Sequence, residues 1–556
     1  MKYILFILIA LISEDPALAQ IHYDAEDHRE QLESIHEWMT INSQAVFNFW
    51  NEKSAINNAE DGFYGDINIR GHSFKGQRNS IQQARQLFTI SVWYRLGEPS
   101  VNDALTAYNQ FRYFIRDFHD PEGGEFFIED IHKEENVPDR RLYNNSFAIY
   151  GLAHYFLAFR DHEEDIYRKA AREALAIAFD TFIAMDLRAH DDEYLGYQQI
   201  PINGLAENEV RLDGGDKEIN THLHIMEALT TLYEAWSLDD EVMKSELTSE
   251  QIDYLDDHLY TRLEEILVDV IVNRFCMEKG EYAYCRTEFE RDWTLANDTY
   301  LNFAHDIETA WLFLEALRVM GDKASDPEPV ITMAEKLIKT VYTYGFEQVE
   351  SGYASVAQGN ISDFSIRNDT KNMWQQFEAF AGLYHGVRLS ESKDRQLAYL
   401  TRLTEVLSYI GGIKVTFNDT MWEFPQGNNL ADEWKGGYHT LRALLFVKEW
   451  IEQDLDIETT SSLNMPDQPR EFRLNQNYPN PFNPSTRITY ELEQSDDVLL
   501  EVFDIQGRSV ALLENGYKLA GQNTSDFYAK HLAGGIYIYR LTSGSDVISR
   551  KMILLK

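Results

Sequence analysis

Three segments of the chain pair a histidine with a charged or amide side chain at helical spacing. In Asn220-Thr221-His222-Leu223-His224-Ile225-Met226-Glu227, the residues Asn220, His224 and Glu227 stand at i, i+4 and i+7 and share one helix face. His222 points elsewhere. A His-x-His pair shares a face on a strand, and the periodicity through Leu229 and Tyr233 is helical, so a metal pair is disfavoured. In Ala304-His305-Asp306-Ile307-Glu308, the carboxylate of Glu308 stands at i+3 from His305, where it would raise the basicity of the imidazole and orient its ring. In Trp434-Lys435-Gly436-Gly437-Tyr438-His439-Thr440-Leu441-Arg442, His439 and Arg442 share a face. Two glycines ahead of that helix let the backbone approach a ligand or turn sharply. Each segment alone reads equally well as a buried polar pair or a helix cap. Arg85, Tyr143 and Trp374, taken singly, read as packing or surface.

The elements that carry these residues give them a common logic. From about residue 25 to 455 the periodicity is helical, with helices beginning near residues 27, 77, 101, 141, 163, 217, 249, 300, 326, 370, 393 and 435. Twelve helices in series suggest six antiparallel hairpins closed into a ring, with alternate helices lining a central cavity. Arg85 then falls on the second helix, Tyr143 on the fourth, Asn220 and His224 on the sixth. His305 falls on the eighth, Trp374 on the tenth and His439 on the twelfth. All lie on even-numbered helices, mostly in the first two turns, which predicts that they meet at one mouth of the ring.

The bulk composition sets the surroundings. The 556 residues include 92 acidic and 50 basic side chains, a net charge of −42 that repels nucleic acid and anionic membranes and suits neutral sugars. General solubility or a salty medium accounts for the same charge. Lys2, the apolar run Ile4 to Ile12 and the small-x-small site Ala17-Leu18-Ala19 read as a signal peptide over residues 1–19. Cys276 and Cys285 flank a stretch that folds as a hairpin turning near Lys279-Gly280 and brings them face to face, as a disulfide or as two free thiols. Residues 456–476, with Thr459-Thr460-Ser461-Ser462, Pro466 and Pro469, read as a linker. Beyond it the pattern becomes short alternating strands with glycine turns.

Taken in order, NTHLH with its following Glu, HDIE and WKxxYHxxR resemble the N-acylglucosamine 2-epimerase superfamily, and within it the cellobiose 2-epimerase family. The resemblance implies an all-α (α/α)6 barrel over residues 20–455. It also implies that His305 and His439 act as general acid and base, and that His224 assists ring opening. Arg85, Tyr143, Asn220 and Glu308 match substrate-binding and supporting positions, while Trp374 and Trp434 match tryptophans lining the sugar subsites. Met373 departs from the family, which often carries a second Trp there. The tail's Asn477-Tyr478-Pro479-Asn480-Pro481-Phe482-Asn483-Pro484-Ser485-Thr486, Val502-Phe503-Asp504 and Gly534-Gly535-Ile536-Tyr537 resemble a type A sorting domain of the type IX secretion system. That implies an immunoglobulin-like β-sandwich over residues 477–556, the secretion machinery as partner, and secretion or attachment at the outer cell surface.

The expected reaction is epimerisation at C2 of the reducing-end aldose of a β-1,4-linked disaccharide, of cellobiose or mannobiose type. A base removes the C2 proton of the open-chain sugar to give an enediolate, and an acid returns a proton to the other face. Arg85 and His224 stabilise charge developing on oxygen. No cofactor is needed, no dinucleotide motif is present, and no segment argues for a metal. An aldose–ketose isomerase would use the same enediolate. An inverting glycoside hydrolase would need two opposed carboxylates, and a non-catalytic glycan-binding protein would need neither His305 nor His439.

Overall fold

The structure is a computed structural model. It describes residues 25–457 and 472–554, except 55–61, 64, 75–77, 129–139, 199–215, 239–240, 296–298, 419–420, 426–428, 433–434, 478–479, 481, 483, 493–495, 505, 507, 519–520 and 545. The signal-peptide stretch and residues 458–471 of the linker lie outside the described residues. The chain divides into two compact units, Met1–Ser461 and Ser462–Lys556.

Among the described residues of the first unit, the long helices are α1 (Arg29–Phe49), α2 (Ser80–Leu96), α3 (Val101–Phe118), α4 (Leu142–Phe159), α5 (Asp165–Ala189) and α6 (Ile219–Ser237). They continue with α7 (Ser249–Glu264), α8 (Phe303–Met320), α9 (Glu328–Tyr344), α10 (Met373–Leu389), α11 (Lys393–Ile413) and α12 (Tyr438–Asp454). A wider π-helical segment, Glu265–Phe275, prolongs α7.

Their packing closes a ring. Helix α2 packs on α4, α4 on α6, α6 on α8, α8 on α10, α10 on α12, and α12 returns to α2. The odd-numbered helices back them from outside. The sixth pairing joins the two ends of the domain, because α1 packs on α12.

The sequences of the two rings differ as their surroundings demand. Helix α4 is buried nearly all round, from Leu142 to Phe159, which suits an element with neighbours on every side. The outer α7 buries a single stripe, Leu255, Leu259 and Leu263, at a spacing of four. Gly151 makes the α2–α4 contact possible: a Cβ there would sit 2.8 Å from the Ala84 carbonyl oxygen. Caps set where the inner helices begin. The Asn79 side chain accepts from the Gln82 amide, and Asn302 accepts from the amides of Ala304 and His305.

The second unit is antiparallel β. Its strands β1 (Arg473–Leu474), β2 (Ser485–Leu492) and β5 (Gly521–Tyr528) form one sheet in the order β1-β2-β5. Strands β3 (Asp496–Asp504), β4 (Ser509–Lys518), β6 (Gly535–Ser543) and β7 (Asp546–Leu554) form another, ordered β4-β3-β6-β7. Ile488, Tyr490 and Phe527 of the first sheet and Val502, Tyr539 and Met552 of the second bury one common core. Strand β1 falls within the stretch that the sequence assigns to the linker.

Candidate active site

The first two turns of the even-numbered helices converge. Arg85 of α2 donates through Nη2 to the Tyr143 hydroxyl of α4 at 3.0 Å, and the Asn220 side chain of α6 hydrogen-bonds that hydroxyl too. The Arg85 guanidinium stacks over Phe147, 4.2 Å from its ring centre. The imidazole of His224 packs against Tyr143, centroids 5.2 Å apart, and against Phe147 at 4.7 Å. Across the ring, the indole of Trp374 (α10) lies 4.9 Å from the His305 imidazole (α8) and 5.8 Å from that of His439 (α12). The predicted residues that the structure describes are therefore gathered at one mouth. Six helix N-termini open there, and their dipoles favour negative charge in the cavity.

Beneath them lies Arg442, which is 1% exposed. Its Nη2 donates to Glu308 Oε1 and to Glu378 Oε1, each at 2.7 Å, and its Nη1 donates to Glu227. Glu227 also meets His224 Nδ1 at 2.9 Å and accepts from the Tyr438 hydroxyl at 2.7 Å. Glu378 meets His439 Nδ1 at 2.6 Å and accepts from Trp311 Nε1 at 3.0 Å. Two imidazoles are thus oriented through Nδ1 by carboxylates that one guanidinium holds in place. Donation from Nδ1–H leaves Nε2 of each ring with its lone pair free. Gly437 allows this segment to approach α2: a Cβ there would come within 2.7 Å of Thr89 Cγ2.

One expected partnership differs. Glu308 does not orient His305; a buried carboxylate gains more from a guanidinium than from a neutral ring, and Glu308 pairs with Arg442. Among the described residues, no side chain hydrogen-bonds the His305 ring. The i, i+3 carboxylate–histidine pair forms on α6 instead, between His224 and Glu227. His222 is occupied elsewhere, its Nδ1 facing the Glu218 carbonyl and its Nε2 accepting from the Tyr197 amide. Trp434 lies outside the described residues.

Burial decides the charge states. Desolvation takes the His305 imidazole down from 6.5 to about 4, and His224 adds repulsion. His439 is pushed well below its ordinary value by desolvation, then by Arg85 and Arg442. His224 is lowered by desolvation against the opposing pull of Glu227. All three are neutral at neutral pH and able to accept a proton. Among the carboxylates, burial would raise Glu227, but Arg442 and the His224 hydrogen bond outweigh it and hold it at about 2. Burial and then repulsion from Glu378 lift Glu308 far above the usual range, and burial lifts Glu378 as well, against the pull of Arg442.

Glu308, Glu378 and His439 present ligand atoms within 4.8 Å of one another, a spacing a metal ion would accept. Arg442 Nη2 already bridges both carboxylates, so a guanidinium supplies positive charge at that point.

Sequence reasoning left Glu227, Glu378 and Arg442 out of the site. Glu227 and Arg442 stand inside the quoted motifs, at i+3 from His224 and from His439. Glu378 carries only a weak signal, one helical turn after Trp374.

Residues 62–422 match the N-acylglucosamine 2-epimerase family, and residues 476–555 match the secretion system C-terminal sorting domain family. The chain is 27% identical over 350 residues to a cellobiose 2-epimerase of Bacteroides fragilis, covering 61% of this chain and 78% of that one. It is 25% identical to a cellobiose 2-epimerase of Ruminococcus albus, covering 74% and 97%. In three dimensions it resembles the cellobiose 2-epimerase from Bacillus thermoamylovorans B4167, with a TM-score of 0.59 and 20% identity over 76% of this chain and 99% of that one. With a closed double ring of helices, histidines gathered at one mouth and a match across most of the helical unit, the chain belongs to the N-acylglucosamine 2-epimerase family, and it carries a C-terminal sorting domain.

Proposed function

We propose that the helical unit is a sugar epimerase. It inverts C2 of the reducing-end aldose of a β-1,4-linked disaccharide, of cellobiose or mannobiose type, through an enediolate. The observation that carries this reading is the placement of two neutral imidazoles, His305 and His439, against one tryptophan ring at the mouth of the barrel. The relatives named above are cellobiose 2-epimerases, which favours a disaccharide.

His305 and His439 lie on different inner helices and address opposite faces of C2. One neutral imidazole accepts the C2 proton and later releases it to water; the other takes up a proton from water and delivers it to the opposite face of the enediolate. The reverse reaction exchanges the roles. His439 keeps its geometry because Glu378 holds Nδ1. His224, held by Glu227, moves the proton between ring and anomeric oxygens as the sugar opens. Arg85 donates to the oxygen on which charge develops, and Tyr143 and Asn220 orient it. Trp374 supplies a stacking surface beside the reacting carbon, and Trp434 a second sugar contact.

The second unit is read as an immunoglobulin-like sandwich that addresses the chain to the type IX secretion system. A signal peptide over residues 1–19 first takes it through the inner membrane, and release or surface attachment follows removal of the tail. Two antiparallel sheets around one core and the sorting-domain match support this.

The deciding experiment incubates the purified protein with cellobiose, mannobiose and mannose in heavy water. The epimer with deuterium at C2 is expected. A ketose with deuterium at C1 would make it an isomerase, free monosaccharides a hydrolase, and unchanged sugar a binding protein.

A further inference from the structure

Cys276 and Cys285 take no part in the site described above. They end the two strands of a hairpin, Cys276–Lys279 and Tyr282–Cys285, in which they are direct register partners. The turn falls at Gly280-Glu281, with Gly280 at φ +67°. The pair is of the non-hydrogen-bonded kind, because both amides bond outside the hairpin. The Cys276 amide donates to the Ile271 carbonyl, and the Cys285 amide donates to Asp306 Oδ1 at 3.0 Å. The neighbouring pair makes the cross-strand bond, Arg286 amide to Phe275 carbonyl at 2.8 Å. Opposed residues in a non-hydrogen-bonded pair have Cα atoms about 4.5 Å apart, within the range a disulfide spans. The two sulfurs are already 3.0 Å apart, and both residues are buried.

We propose that Cys276 and Cys285 form an intramolecular disulfide on export, locking the hairpin that buttresses the first turn of α8. The hairpin is wedged between two helices. Ala283 both donates to and accepts from the Thr340 hydroxyl of α9, while Cys285 anchors Asp306, the residue after His305. A C-terminal sorting domain marks the chain for export, and exported compartments favour disulfides. In the bond-forming step each thiol loses its proton and a sulfur–sulfur bond forms. Two electrons pass by thiol–disulfide exchange to a disulfide-bearing oxidant, which becomes a dithiol. In the folded chain burial raises the Cys285 thiol far above its ordinary range, which keeps it from ionising and disfavours exchange. The bond therefore forms while the chain is still folding.

The test uses the full chain exported by a bacterial host, precipitated in acid and dissolved in denaturant with N-ethylmaleimide. Intact mass should show no adduct before reduction and two after it. One or two adducts before reduction would overturn the proposal. The same chain lacking residues 1–19 and kept in a reducing cytoplasm should take two adducts without reduction; none there would overturn the link to export.

Discussion

His305 and His439 share the Trp374 indole as a neighbour, yet only His439 has a carboxylate at Nδ1. The two imidazoles are matched in position and unlike in support. Glu378 fixes the ring and tautomer of His439. His305 is held by its place in the first turn of α8, where Asn302 caps its amide.

Replacing either histidine tests the pair. His305→Asn and His439→Asn should each lower turnover by about 10²–10⁴-fold, with the far-ultraviolet circular dichroism unchanged. A variant that retained near-normal rates would not have lost an acid or base of the reaction.

The carboxylates around Arg442 should respond unequally. Glu378→Gln replaces the carboxylate that orients His439, so kcat should fall about 10–100-fold with KM little changed. Glu308 orients neither imidazole, and Glu308→Gln keeps its shape and its acceptor for Arg442, so its loss should be several-fold at most. Steady-state kinetics of the two variants compare them directly; equal losses would contradict the orienting role of Glu378.

Stability should fall on the acid side of pH 6.5. His305 titrates at about 4 in the fold and near 6.5 when unfolded, so between those values the unfolded chain binds more protons. His224, His439, His154 and His385 are lowered in the same sense. Glu227, held at about 2, extends the loss below pH 4.5, while Glu308 and Glu378, both lifted, oppose it. Thermal midpoints measured from pH 7 to 4 should decline, and His305→Gln should make the decline shallower.

Activity should survive prolonged dialysis against a chelator, because Arg442 supplies the positive charge between Glu308 and Glu378. Loss of turnover, restored by one added divalent ion, would place a metal at the Glu308–Glu378–His439 group instead.

A chain cut to residues 20–456 should keep its specific activity and melt in one transition, since the two units are compact separately. Reduced activity in the shortened chain, measured at equal concentration of folded protein, would give the tail a role beyond addressing.

What was legible in the sequence was local. The even-numbered helices and the residues in their opening turns follow from periodicity and caps, and the His224–Glu227 pair follows from i, i+3 spacing. The His439–Glu378 bond joins residues 61 positions apart, and periodicity carries no information about such pairs. Glu308 shows the limit from the other side. Spacing put it on the His305 face, but a face is not a partner, and the competing guanidinium came from another helix. The closure of α1 on α12 is the ring expected from counting twelve helices into six hairpins.

That closure orders the life of the chain on the ribosome. His439 and Arg442 arrive on the last helix of the barrel, and that helix seats against the first one made. Every intermediate shorter than 439 residues therefore lacks both the hub of the carboxylate cluster and the His439 imidazole. The sorting tail is synthesised later still. A chain stopped short of His439 therefore carries neither a complete carboxylate cluster nor the C-terminal sorting domain.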